Sequence, residues 1–180
     1  MKRHFAAAIA IVLPLLVLPA TASTQNTELG PMAEVLQNRI GDWNVEIEFR
    51  PAATAKPFVS KATETSRLVG GKWLLSEFHG DMGGTPFNGI GLNGYDPKTG
   101  KYVGMWIDNL ANAVEPTEGR YDPATKTFST TSEEKSASGT RMVTSTTRTI
   151  DADTEVTTLE TIDADGKPYT RMTMRMSRAR

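Results

Sequence analysis

Tyr102, Gly104, Trp106 and Asp108 alternate with Val103, Met105 and Ile107 along one strand-like run. In a strand, that period of two puts the first set on one face and the second on the other. An indole and a carboxylate on a shared face suit a small-ligand pocket, the ring as apolar wall and Asp108 as polar anchor near a rim. Gly89 and Gly91 on the preceding run lack side chains and leave room beside the indole. The plainer alternative has Trp106 filling a core and Asp108 capping a turn. Trp73, Leu75, Glu77 and His79 fall together on one face of another run. His79 is the one histidine beyond the N-terminal leader, and imidazole can titrate near neutral pH, hold a ligand or bind a metal. A merely hydrogen-bonded or exposed histidine is its plainer reading. Glu77 and Asp108 would form an acid–base pair if their strands met.

Met172, Met174 and Met176 share one face of the last run. Thioethers suit Cu(I), but methionine also fills irregular cores, and core filling is the favoured reading. Ser132-Glu133-Glu134-Lys135 and Lys98-Thr99-Gly100 mimic fragments of penicillin-recognising enzymes, in reversed order and with the second in a turn. The chain has no G-x-S-x-G, H-E-x-x-H, phosphate-binding loop or dinucleotide fingerprint. Nothing in it marks an enzyme, and no cofactor is expected.

The elements that position these residues are short strands. Trp43, Val45, Ile47 and Phe49 alternate with Asn44, Glu46 and Glu48, one apolar face against one solvated face. Further strands are expected over 57–68, 72–79, 86–94, 101–108, 114–121, 126–133, 140–150, 154–162 and 167–178. Turns fall at Asp96-Pro97-Lys98-Thr99-Gly100, Tyr121-Asp122-Pro123-Ala124-Thr125, Asp151-Ala152-Asp153 and Asp163-Ala164-Asp165-Gly166. The threonine-dense stretch 125–161 reads as the wet face of an antiparallel sheet. Pro31 to Ile40 is expected to be a short helix, with Met32, Val35, Leu36 and Ile40 near one face. About ten antiparallel strands with regular turns describe an all-β barrel or sandwich.

Lys2, Arg3 and His4, the apolar run Phe5 to Pro19, and Ala20-Thr21-Ala22 make a Sec-type signal peptide. Cleavage after Ala22 predicts a periplasmic or secreted protein, with no membrane anchor left on the mature chain. The expected organisation is a signal peptide over 1–22, a flexible lead over 23–29 and one barrel domain over 30–180. The formal net charge is −1 without any basic patch, which argues against nucleic acid as a partner. With no cysteine in the chain, the fold has to be held by its core.

Gly41-Asp42-Trp43 after a short helix resembles the opening of lipocalin-like (calycin) barrels. That resemblance implies an arginine from the last strand over the indole, here Arg175 or Arg178. The longer set Gly70-Gly71-Lys72-Trp73-Leu74, Pro86-Phe87-Asn88-Gly89-Ile90-Gly91, Gly94-Tyr95-Asp96-Pro97 and Lys101-Tyr102-Val103-Gly104-Met105-Trp106-Ile107-Asp108 is similar to bacterial domain-of-unknown-function family 1579. This likeness covers about residues 30–178 and implies a lipocalin-like barrel without an established activity. Some barrels of this type hold haem through a histidine near the C-terminal end; here that end carries methionines and arginines instead.

The leading expectation is therefore a non-catalytic exported barrel holding a small apolar molecule. Trp73, Phe87, Tyr102 and Trp106 would line it, Glu77, His79 and Asp108 would supply polar contacts, and Trp43 with Arg175 or Arg178 would close its base. A hydrolase or isomerase using Glu77, His79 or Asp108 at the mouth is the first alternative. The second is an interaction module, monomeric or homodimeric, built on Val103, Met105 and Ile107 if Trp106 points inward.

Overall fold

The computed structural model describes residues 30–111, 113–136 and 139–180. The expected signal peptide and lead segment lie outside the described residues. Helix α1 (Gly30–Gln37) is followed by β1 (Gly41–Phe49), β2 (Phe58–Val69), β3 (Trp73–Asp81), β4 (Pro86–Asp96) and β5 (Lys101–Asp108). The chain continues through β6 (Glu115–Asp122), β7 (Thr127–Ser136), β8 (Gly139–Asp151), β9 (Thr154–Ile162) and β10 (Pro168–Arg178). Each strand pairs antiparallel with the next, and β1 pairs with β10, so these ten strands form one closed barrel in chain order. Closure leaves no free sheet edge. The helix is shorter than expected: Arg39 and Ile40 N–H groups turn back to the Leu36 and Gln37 carbonyls, and such tight i→i+3 bonds end it.

The aspartates of the expected turns close them. Asp96 accepts from the Lys98 backbone N–H and the Thr99 hydroxyl, both at 2.9 Å, and Asp122 repeats the pattern with Ala124 and Thr125. These bonds favour the charged carboxylate and hold both groups below the usual carboxylate range.

One end of the barrel, where β1 begins and β10 ends, is plugged. Leu36 of α1 packs there against Leu74, Tyr102 and Phe128. Beside it, Arg178 lies over the Trp43 ring with its guanidinium carbon 4.2 Å from the centroid, and Trp43 Nε1 donates to the Arg39 carbonyl at 3.1 Å. Arg178 also donates to the Ile40 and Asn38 carbonyls, the latter at 2.6 Å, and so ties β10 to the helix exit. Gly41 has φ +123°, and a Cβ there would sit 2.6 Å from Arg178 Nη1. The Gly-x-Trp spacing therefore has a steric cause: the glycine makes way for the guanidinium that covers the indole. Arg175 pairs with Glu46 across β1–β10 and is exposed, on the outer face. Of the two arginines expected at the base, Arg178 occupies it and Arg175 does not.

The interior is unequal around its circumference. Trp43, Val45, Ile47, Ala62, Phe78, Phe87 and Met176 form a buried apolar wall, with Phe49, Trp106, Met172 and Met174 packed against it. The opposite wall is polar. Register with buried Phe128 and Thr147 turns Thr130, Ser132, Ser145, Thr157 and Thr161 inward. The threonine-rich stretch therefore supplies the lumen as well as the solvated surface. Inside the barrel, Arg39 enters from the helix exit and bridges Glu155 of β9 at 3.1 Å and Glu64 of β2 at 3.8 Å, either side of the β1–β10 pair. Ser66 donates to Glu64 at 2.9 Å and shares a hydrogen bond with Ser76. Burial opposes the charge on Arg39, but Glu155 and Glu64 outweigh it and push the guanidinium pKa up.

Candidate functional site

Strand β5 turns Tyr102, Trp106 and Asp108 inward, since Tyr102 is buried and Trp106 packs on the apolar wall. Trp106 stacks on Phe87 at 6.3 Å with 21° between planes and meets Phe78 edge-on at the same distance. Its ring also fills the space above Gly89, where a Cβ would fall 2.2 Å from Trp106 Cζ2. Gly89→Ala is expected to displace the indole and cost about 1–3 kcal/mol. Urea unfolding followed by tryptophan emission would register both effects.

Asp108 is fully engaged. Its Oδ2 accepts from Trp106 Nε1 at 2.9 Å, and its Oδ1 from the Leu110 and Ala111 N–H groups at 2.8 Å. The carboxylate caps the β5–β6 turn and orients the indole, so it is a positioning residue.

The expected ligand set divides three ways. Phe87, Trp106 and Asp108 stand together toward the end away from the plug. Tyr102 belongs to the plug at the other end, beside Leu36 and Phe128, where burial pushes its phenol up. Trp73, Glu77 and His79 lie outside the barrel, because their neighbours Leu74, Ser76 and Phe78 take the interior. These residues share one face, as their spacing predicts, but that face is the outer one. Trp73 instead covers Gly94, with a Cβ there 2.5 Å from its ring. His79 Nδ1 hydrogen-bonds Asn88 Oδ1 at 2.8 Å. Glu77, His79 and Asn88 edge a shallow groove of about 380 Å³ with Gly89, Ile90, Ile107 and Asp108, so the three expected polar residues border one groove even though Asp108 is hydrogen-bonded to the indole and the turn. Among the described residues no hydrogen bond or ion pair joins Glu77, His79 and Asp108 to one another, and no three His, Asp or Glu side chains gather as metal ligands.

With Trp106 inward, Val103, Met105 and Ile107 form an outer strip with Trp73 and Ile90. Helix α1 does not cover it, since Leu36 packs into the plug.

The end away from the plug also gathers residues absent from the expected site. Glu134 Oε2 accepts from Arg171 Nη1 at 2.5 Å and lies 3.6 Å from Arg141 Nε. Arg171 also lies over the Phe49 ring at 5.5 Å. Glu115, paired with Trp106 across β5–β6, stands near them. Burial first, then the charges of Glu134 and Asp108, raise its pKa, and Arg171 offsets part of that. A raised pKa means that ionised Glu115 costs folding stability. That cost is absent below the ordinary glutamate range and grows as pH rises through it. Glu115→Gln is therefore expected to melt above the parent protein near pH 7 and level with it below about pH 4. Melting curves across that window would check the sign. Within the sequence, the inward parity of β6, β7 and β8 was the available signal, but joining their residues needs the register.

A family model described as "Protein of unknown function (DUF1579)" matches residues 28–178. No curated protein sequence matches the chain. Among solved structures, Rv2717c from M. tuberculosis is similar with a TM-score of 0.65 at 15% identity, over 85% of this chain and 100% of that one. The S-type phycobiliprotein lyase CPES from Guillardia theta aligns with a TM-score of 0.61 at 11% identity, over 83% and 93%. At these identities the likeness is one of fold. The family match spans the helix and all ten strands, plug and mouth together, and the chain belongs to DUF1579, a family of proteins of unknown function.

Proposed function

We propose that the protein is exported, loses its leader after Ala22 and holds a small, largely apolar molecule in the barrel lumen without acting on it chemically. The carrying observation is the unequal filling of the interior. Trp43, Val45 and Ile47 are 1–2% exposed, whereas Trp106, Leu159, Met172 and Met174, inward on the other strands, remain half-buried. Inward side chains that still meet water are the ones a bound apolar molecule would cover. Ser60 Oγ, buried on an inward position of β2 without a hydrogen-bond partner, is a polar group such a ligand could satisfy. A barrel of like fold serves a phycobiliprotein lyase, which supports a small-molecule partner.

Phe87, Trp106, Met172 and Met174 form the apolar side in this reading, and the threonine wall the polar side. Met172 and Met174 pack against the apolar wall, in keeping with core filling in preference to a Cu(I) site. Native mass spectrometry of the protein isolated from its own periplasm or medium would test it. A small-molecule mass released on unfolding, on a chain beginning at Ser23, is expected. A ligand-free chain that retains residues 1–22 would overturn both halves.

A further inference from the structure

Strand β10 slips register between Thr170 and Met172. Alternation from inward Met172 would send Arg171 outward, but a bulge re-aims a side chain, and here Arg171 reaches Phe49 and Glu134 at the barrel mouth. Arg141, the partner of Glu134 across β7–β8, brings a second guanidinium to the same carboxylate oxygen. Two cations thus share one ion-paired carboxylate, with Glu115 nearby and its charge opposed by burial and by Glu134. Each guanidinium carries five N–H donors, far more than one shared oxygen can take. Both side chains remain accessible, Arg141 at 32% and Arg171 at 26%, so donors face the mouth. Asp108 makes no ion pair with either arginine, its oxygens accepting from the indole and the turn instead. The pair stands where the apolar wall of Phe49, Trp106, Met172 and Met174 ends.

We infer that the molecule held in the lumen is an amphipathic carboxylate, its apolar body against that wall and its carboxylate between Arg141 and Arg171, with Glu134 as the resident stand-in. This rests on the lumen-binding reading and adds the class of ligand. Two guanidiniums offer a planar, charge-assisted cradle that a neutral head group does not exploit. Glu134 competes for the same donors, so removing its charge strengthens binding and removing either arginine weakens it.

The test uses the purified protein with N-phenyl-1-naphthylamine as a neutral fluorescent probe, displaced by dodecanoate or by dodecanol. Dodecanoate is expected to displace the probe at roughly tenfold lower concentration than dodecanol or better. Arg171→Gln and Arg141→Gln should each weaken dodecanoate by roughly 10- to 100-fold and shift dodecanol less than about twofold. Glu134→Gln should tighten dodecanoate several-fold, and it decides the matter if an arginine variant fails to fold by circular dichroism. Probe binding with equal displacement by acid and alcohol overturns the carboxylate inference and leaves the lumen reading standing. So does a Glu134→Gln protein that binds dodecanoate no more tightly. Failure of the probe and of both compounds to bind at all overturns the lumen reading itself.

Discussion

Arg39→Met is expected to lower folding stability by about 3–5 kcal/mol, a large part of what a domain of this size possesses. Arg39 is 14% exposed at its side chain and holds Glu155, at 4%, and Glu64, at 9%, from the two strands that flank the β1–β10 pair. Taking away the guanidinium leaves two carboxylates in a poorly hydrated interior with hydroxyl partners alone, Ser66 for Glu64 and Thr149 for Glu155. The loss would thus come from stranded charge more than from a missing contact. A companion variant separates the two: Arg39→Met with Glu64→Leu and Glu155→Leu leaves no charge behind and is expected to recover most of the stability. Glu155 makes the shorter contact, so Glu155→Gln should cost more than Glu64→Gln. Urea midpoints at constant slope would rank all four. A single Arg39→Met loss under about 1 kcal/mol would mean that water already reaches the triad and screens it.

That triad also shows where the sequence stops being legible. The strands could be read because alternation and aspartate turns are local: Trp43 to Phe49 and Asp96 to Gly100 carry their own pattern. Which face points inward is a different question. On β3 the set Trp73, Leu75, Glu77, His79 and the set Leu74, Ser76, Phe78 are comparably apolar, and the larger aromatic suggests the wrong one. The outer face here keeps an apolar strip, which removes the usual contrast between the two faces. On β10 the answer was present: Met172, Met174 and Met176 share parity with Arg178, and Arg175 falls opposite. Arg39, Glu64 and Glu155 come from three separate elements and meet only through closure. Arg171 lay further out of reach, because a bulge reverses its expected side and no residue pattern near Thr170 announces it.

Arg178, on the inward parity of β10, carries the second large effect, at the plug. Arg178→Lys keeps the charge and is still expected to cost about 2–3 kcal/mol. The planar guanidinium lies over Trp43 while its forked nitrogens reach the Asn38 and Ile40 carbonyls and, at 3.5 Å, the Ala152 carbonyl. A lysine ammonium is a point charge that cannot cover the ring and serve both helix-exit carbonyls at once. Trp43→Phe keeps an aromatic face but gives up the indole donor to the Arg39 carbonyl. Since both changes act on one assembly, their costs should fall short of additive by about 1 kcal/mol in a double-mutant cycle. Arg175→Ala, on the outer face, is expected to stay within about 0.5 kcal/mol of the parent. Because Trp43 and Arg39 meet through that indole bond, loosening Arg178 also loosens the element that delivers Arg39 to the lumen. Arg178→Lys should therefore raise hydrogen exchange at residues 36–40 before it affects β6 to β8. An Arg175→Ala loss equal to that of Arg178→Lys would show that general charge on β10, and not the stacked fork, secures the barrel's base.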